Sequence, residues 1–383
     1  MNEKYSPLFR EFPLNEAVTL DSRFVMAPMV IAGCTRDGYV GPCDLTYFKR
    51  RADSASMLIT GSASVGRFSN AFGYGLGVYE DDQIKGLSRL AQVMKSKGNT
   101  AILQIFHGGI QSRFTYEDHS EVYGPSPIEG RHASYPVKAL TGEEIEQLVD
   151  QFGQAADRAV RAGFDGVEIH GANHYLIQQF FSTNSNYRED EWGGPLENRA
   201  RFALEVTRSV KAAVEASGRE DFIVGYRFSP EEIHPYGVGY HLDDTFYLID
   251  QLVDMDLDYI HSSLRDYQSV SGAGTKEGQS LNKEIYRLVD GRSPYIVAGN
   301  IMTADAALDA LDYGDLVALA SAVIVDPDFK KKIREGREKA IDYNVKGRMK
   351  DLALPDRFHL MAASLNTEGY IPKKSMRILH EPR

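Results

Sequence analysis

Short apolar, β-branched tracts recur along the chain, each followed by a stretch in which hydrophobic positions return every three or four residues. The first tract, Arg23-Phe24-Val25-Met26-Ala27-Pro28-Met29, is stopped by Pro28. Strands are predicted again at 57–60, 100–105, 166–170, 222–228, 257–261, 295–299 and 315–320. Helical periodicity occupies 42–53, 80–97, 141–162, 196–217, 243–256, 280–290 and 304–312, and a last helix begins near Pro327. Thr141-Gly142-Glu143-Glu144 carries a capping-box pattern, and Pro195 stands where a first helical turn tolerates proline.

Eight strand tracts alternating with eight helical stretches is the count a closed parallel barrel requires. The pattern therefore predicts an α/β fold of the (β/α)8 TIM-barrel class over residues 1–340. A doubly wound open sheet would place Gly-x-Gly-x-x-Gly directly after the first strand. The nearest lookalike, Gly73-Tyr74-Gly75-Leu76-Gly77, follows no strand and reads as a flexible loop. Leu8-Phe9-Arg10-Glu11-Phe12-Pro13-Leu14 is expected to cover one end of the core. Three long connections, 106–140, 184–196 and 228–242, leave the C-terminal ends of strands, where long loops tend to be lids or substrate walls. Residues 341–383 are expected to form a tail that packs on the barrel or on a neighbouring subunit of a homo-oligomer.

Composition narrows the class further. The 383 residues are 43% hydrophobic and 25% charged, ordinary values for a globular protein, with no repeat or low-complexity tract. A formal charge of −11 disfavours nucleic acid and anionic membrane surfaces, both of which need clustered Lys and Arg. Two cysteines, Cys34 and Cys43, are too few for a disulfide framework or a four-Cys iron–sulfur site, and reduced thiols are expected. Neither a leader-like apolar region after Met1 nor a run long enough to span a bilayer is visible, which points to the cytoplasm.

The fourth strand carries the densest chemistry. Gly166-Val167-Glu168-Ile169-His170 runs into Gly171-Ala172-Asn173-His174-Tyr175-Leu176, so an imidazole, an amide and a phenol are bunched at the strand end where barrel catalysis sits. A lone His or Tyr there is usually a packing residue. The combination is different, because it continues into Ser185-Asn186-Tyr187-Arg188-Glu189-Asp190-Glu191-Trp192-Gly193-Gly194 and then Glu197-Asn198-Arg199. The series resembles the active-site strand of the old yellow enzyme family of FMN-dependent ene-reductases, in its single-domain form without an iron–sulfur cluster.

That resemblance, which extends from the first strand through the eighth, implies a non-covalent FMN with NADH or NADPH as electron donor. It implies that Ala27, Pro28 and Met29 lie along the flavin ring, that Ser62 touches it, and that Gln104 hydrogen-bonds its pyrimidine edge. It also sets Arg227 beside the N1–C2=O edge, where reduction accumulates negative charge that a guanidinium stabilises. An Arg inside a barrel strand otherwise needs a buried partner. Gly299, Asn300, Ala320 and Ser321 fall at the phosphate end, where backbone amides after strands seven and eight are expected to hold the anion. Departures from the family pattern are Ser321 in place of an Arg, Val30 in place of a Cys or Thr, and His174 in place of a Gly.

The implied reaction is a ping-pong hydride transfer to α,β-unsaturated carbonyl compounds or quinone-like acceptors. His170 and Asn173 would bind the carbonyl oxygen and Tyr175 would protonate the α-carbon. The competing readings are a flavin-free (β/α)8 lyase, which lacks a strand-end Lys for Schiff-base chemistry in strands four to eight, and a barrel kept as a binding protein after loss of FMN. Flavin absorbance distinguishes these.

Overall fold

Each apolar tract is a short buried strand in the computed structural model, which describes residues 1–128, 133–365 and 367–382. The barrel strands are β1 (Phe24–Met26), β2 (Met57–Ile59), β3 (Thr100–Phe106), β4 (Gly166–Gly171), β5 (Ile223–Phe228), β6 (Tyr259–Ser262), β7 (Tyr295–Ala298) and β8 (Leu316–Leu319). Consecutive strands pair in parallel, and β8 returns to β1 through Val317↔Phe24 and Leu319↔Met26, closing a (β/α)8 barrel. Around it stand α1 (Pro42–Arg51), α2 (Ile84–Met94), α3 (Gly142–Ala162), α4 (Leu196–Ser217), α5 (Leu242–Val253), α6 (Leu281–Val289), α7 (Ala304–Ala310) and α8 (Phe329–Arg334).

Side chains alternate between two apolar shells, which is why the strands read as continuous hydrophobic runs. Val25, Ile59, Ile102, Ile223, Tyr259, Ile296 and Leu316 fill the barrel interior. Phe24, Leu58, Leu103, Val167, Val224, Ile260 and Val317 face the helices. Gly225 is required inside, since a Cβ there would collide with the Tyr259 ring. The antiparallel pair Phe12–Pro13 with Thr19–Leu20 brings Leu14 and Leu20 into the interior cluster. Asn15 donates to Asp258, just before β6, at 2.7 Å, so this pair plugs the N-terminal end and leaves the C-terminal end open.

Local signals explain the helix ends. Thr141 accepts from the Glu144 amide while the Glu144 carboxylate accepts from the Thr141 amide at 2.8 Å, and Gly163 closes the same helix at φ 81°. Ser280 and Thr303 cap α6 and α7 by accepting from the Lys283 and Ala306 amides, without the reciprocal carboxylate. The glycine-rich stretch at 73–77 is more ordered than expected, because Leu76–Gly77 pairs in parallel with Ala63–Ser64. The connection 106–140, apart from 129–132, which lie outside the described residues, carries the helix Arg113–His119. It also has a small core of Ile110, Val122, Ile128 and Val137. Residues 228–242 hold a hairpin, Glu232–His234 with Gly237–Tyr240.

Beyond residue 340, Val345, Leu352, Phe358, Ile371 and Leu379 are buried in the same outer cluster as the helices. Fully buried Arg51 donates to the carbonyls of Val323, Ile324 and Leu352, which ties this segment to α1 and to the chain after β8. Both cysteines are free thiols, and Cys34 donates to Asp44 at 3.3 Å.

Candidate active site

Inside the barrel, the alternation that gives Ile102, Ile223 and Tyr259 lower down gives Gln104, Arg227 and His261 two to four residues further on. Strand register sets Gln104 beside Glu168, His170 beside Arg227, and Arg227 beside His261. A polar layer therefore crowns an apolar core. Within it Ser62 donates to Gln104 at 2.6 Å, Gln104 Nε2 donates to Glu168 Oε1 at 2.7 Å, and His261 Nδ1 meets Glu168 Oε2 at 2.8 Å.

Burial alone would raise the Glu168 pKa, but His261, Arg227 and the Gln104 hydrogen bond outweigh it and hold the carboxyl below its usual range. Burial lowers Arg227, with Glu168 opposing the change. Burial, aided by the nearby Arg227 and His261, drives His170 well below an ordinary imidazole, so it is neutral at physiological pH. Burial pushes the Tyr175 hydroxyl up, with Arg227 opposing, so the phenol stays protonated.

A cleft of about 260 Å³ opens above this layer. Its walls include Ala27, Pro28 and Met29 after β1, Asn173 after β4, Arg227 from β5, Gly299 and Asn300 after β7, and Ala320 and Ser321 after β8. Ser62 and Gln104 lie beneath it through the hydrogen bonds above. The Tyr175 ring centroid stands 5.2 Å from those of His170 and Phe106. Thus all thirteen residues singled out in the sequence belong to one end of the barrel.

Backbone geometry shapes the same walls. Gly61 presses on the turn after β1, where a Cβ would come within 2.7 Å of the Met29 carbonyl, and the same turn carries Val30. Gly299, at φ 136°, passes close to Asp266 and Tyr267. Asn173 and His174 are left-handed at φ 58° and 61°. Asn173 is fixed by its amide, which donates to Ser229 at 3.0 Å, and by Ser263, which donates to its side-chain oxygen at 2.8 Å. With that oxygen occupied, the Asn173 NH2 is the group left to act as a donor.

Four residues of this polar layer and cleft were not singled out by sequence reasoning. Glu168 was quoted in the motif without a role, although a carboxylate in a buried strand is itself a signal. His261 ends a predicted strand in the same way. Ser263 and Arg265 follow β6 and line the cleft, but nothing local distinguishes them from ordinary loop residues.

A closed β/α barrel with a buried polar layer of Gln104, Glu168, Arg227 and His261 under a cleft at its strand C-termini is the scaffold of a cofactor-dependent barrel enzyme. The model of the NADH:flavin oxidoreductase / NADH oxidase family matches residues 7–340, and the chain belongs to that family. It is 40% identical over 378 residues to a probable NADH-dependent flavin oxidoreductase, YqiG, of Bacillus subtilis, covering 98% of this chain and 100% of that one. Over 332 residues it is 40% identical to the NADH:acrylate oxidoreductase of Vibrio harveyi, covering 85% of this chain but 33% of that longer protein. Among solved structures it is similar to the old yellow enzyme homologue from Zymomonas mobilis, with TM-score 0.74, 27% identity, and 86% and 92% of the two chains covered. The protein is thus an FMN- and NADH-dependent oxidoreductase of old yellow enzyme type.

The residues present fit FMN. His170 Nδ1, Arg227 Nε and Asn300 Oδ1 are buried polar atoms with no hydrogen-bond partner among the described residues. Such atoms cost free energy unless a ligand meets them. They are distributed around the polar layer and the cleft above it.

Proposed function

We propose that the protein saturates the C=C bond of α,β-unsaturated carbonyl compounds, or reduces quinone-like acceptors, in a ping-pong cycle. FMN, when bound, relays hydride from NADH to the second substrate. Residues 27–29, Ser62, Gln104, Arg227, Gly299, Asn300, Ala320 and Ser321 would hold it, with Arg227 opposite the edge that gains negative charge. Arg265 brings a further guanidinium to the cleft that Ser321 lines, and we assign it the phosphate-facing charge that Ser321 does not supply.

The observation that carries this reading is the trio at the C-terminal end of β4 and just beyond it. Neutral His170 keeps one N–H to donate without adding charge, and Asn173 keeps its NH2 free because Ser263 occupies its oxygen. Two donors aimed at one carbonyl oxygen favour the enolate-like charge that builds as the β-carbon accepts hydride. Tyr175, held protonated, is the general acid for the α-carbon. The name of the Vibrio relative, which specifies acrylate, an activated alkene, supports this substrate class. We read residues 1–340 as the catalytic barrel and 341–383 as its packed tail. The acidic charge and the absence, among the described residues, of any helix fit to cross a membrane support small-molecule work in the cytoplasm.

Titration of the oxidised holoprotein with a phenol that imitates the enolate tests the donor pair. His170→Ala and Asn173→Ala should each weaken binding about 10–150-fold, the value of one hydrogen bond to a charged group. Retention of the full charge-transfer absorbance at unchanged phenol concentration in both variants would remove the assignment.

A further inference from the structure

A second cleft, of about 200 Å³, lies on the other side of the loop after β4 and is lined by His174, Gln179, Ser185, Glu232, His234 and Tyr236 among others. Apart from the backbone link through Asn173, it shares no lining residue with the flavin cleft. Two imidazoles and a carboxylate meet in it. His174 Nδ1 stands 3.4 Å from Glu232 Oε2, and His234 Nε2 stands 3.5 Å from Glu232 Oε1. One ligand atom from each of the three lies within 4.8 Å of the others.

The geometry points to a binding site here for one divalent transition-metal ion of the zinc class, held by His174, Glu232 and His234. Ligand atoms about 2.1 Å from a tetrahedral ion are separated by about 3.4 Å. Each imidazole nitrogen stands about that far from a different Glu232 oxygen, and since one atom from each of the three lies within 4.8 Å of the others, the two rings would draw in slightly around an ion. Two histidines and one carboxylate are a recurrent zinc set that leaves a fourth position for water, and the cleft has room for it. Without thiolate or an oxygen-rich shell, the set favours zinc, nickel or copper over magnesium or calcium.

The surroundings have the character of a built site. Glu232 and His234, two residues apart on one hairpin strand, share a face. The Glu232 carboxylate is 5% exposed and accepts from Ser182 at 2.7 Å, Gln178 at 2.8 Å and Asn184 at 3.2 Å, which orients its oxygens. Gln178 Nε2 also reaches His174 Nδ1 at 3.2 Å. The ring of His234 is stacked on Tyr236 at 4.7 Å. His174 adopts a left-handed backbone, φ 61°, a conformation unusual for a residue with a side chain; it brings the imidazole toward the hairpin. An ion here would clamp the loop after β4 to the hairpin after β5, fixing Asn173 and Tyr175 on either side of His174. It would be a structural ion, outside the hydride path.

Zinc titration of chelator-stripped full-length protein, in competition with a chromophoric chelator, tests this without reference to turnover. The wild type should take up one zinc per chain at micromolar concentration or below. His174→Gly, which suits the left-handed backbone, and His234→Ala, at a partly exposed position, should each bind at least about 100-fold more weakly, since even outer partners are worth about 10–100-fold. No uptake by the wild type at micromolar zinc would overturn the assignment. So would undiminished uptake in both variants, which would place any bound zinc elsewhere.

Discussion

Replacing Glu168 by Gln isolates the charge balance under the flavin cleft. The wild-type carboxylate is fully buried, accepts from Gln104 at 2.7 Å, meets His261 at 2.8 Å and faces the charge of Arg227. The amide keeps the shape and one acceptor oxygen, but turns an NH2 toward either Gln104 or His261 and leaves Arg227 without its counter-charge. Losing one partner of a buried ion pair costs about 3–5 kcal/mol; Glu168 and Arg227 interact through their charges without direct contact, so thermal unfolding of the flavin-free variant should show a loss of up to that order. Reduction of bound FMN returns negative charge to the layer. The variant should therefore favour the reduced state, and its two-electron potential should rise by up to about 60–110 mV if all the lost pairing is regained, at about 30 mV per 1.4 kcal/mol. Spectroelectrochemical titration measures this shift. Unchanged stability would show that Glu168 and Arg227 are not coupled, and a potential that falls or stays fixed would refute the role of Arg227 at the flavin edge.

Three further outcomes are expected. Tyr175→Phe keeps the ring contacts with His170, Phe106 and Phe72, so folding should be preserved, while reoxidation of reduced enzyme by an enone slows about 10²–10⁴-fold and reduction by NADH is spared in stopped-flow. Arg265→Ala should weaken FMN about 10–150-fold in fluorescence titration, and Ser321→Arg in the same chain should restore part of it; an unchanged dissociation constant would remove Arg265 from the site. Asp44 is nearly fully buried, and burial raises its pKa to about 6, so its folded state holds a proton that the unfolded chain has released. Wild-type stability should therefore fall by about 3 kcal/mol relative to Asp44→Asn as pH rises from about 4 past about 6, with the Gly41 amide still capped by the Asn oxygen. Parallel stability profiles for the two proteins would contradict this.

The barrel was legible because its evidence is local. Both strand faces are apolar, so hydropathy marks every strand, and Thr141, Ser280 and Thr303 announce helices within their own first turns. The candidate residues His170, Asn173 and Tyr175 stood out for the same reason, since one continuous motif carries all three. What escaped depends on barrel closure. Ser263 becomes a partner of Asn173, and His261 of Glu168, only when strands distant in sequence come into register. The pairing of Leu76–Gly77 with Ala63–Ser64 likewise builds on the end of barrel strand β3, to which Ala63–Ser64 itself pairs, and glycine-rich sequence hides it. His174 looked like a departure from a glycine position, and only the hairpin folded against it gives it neighbours in Glu232 and His234.

Double-mixing stopped-flow under anaerobic conditions tests the central claim most directly. The protein with FMN bound is first reduced by one equivalent of NADH and then mixed with 2-cyclohexenone, while flavin absorbance is followed and the product is analysed. The account predicts bleaching in the first phase, full return of the oxidised spectrum in the second, and cyclohexanone equal to the NADH consumed. A reduced flavin that cyclohexenone and other activated alkenes leave bleached, yet a quinone reoxidises, would contradict C=C reduction as the function of the site.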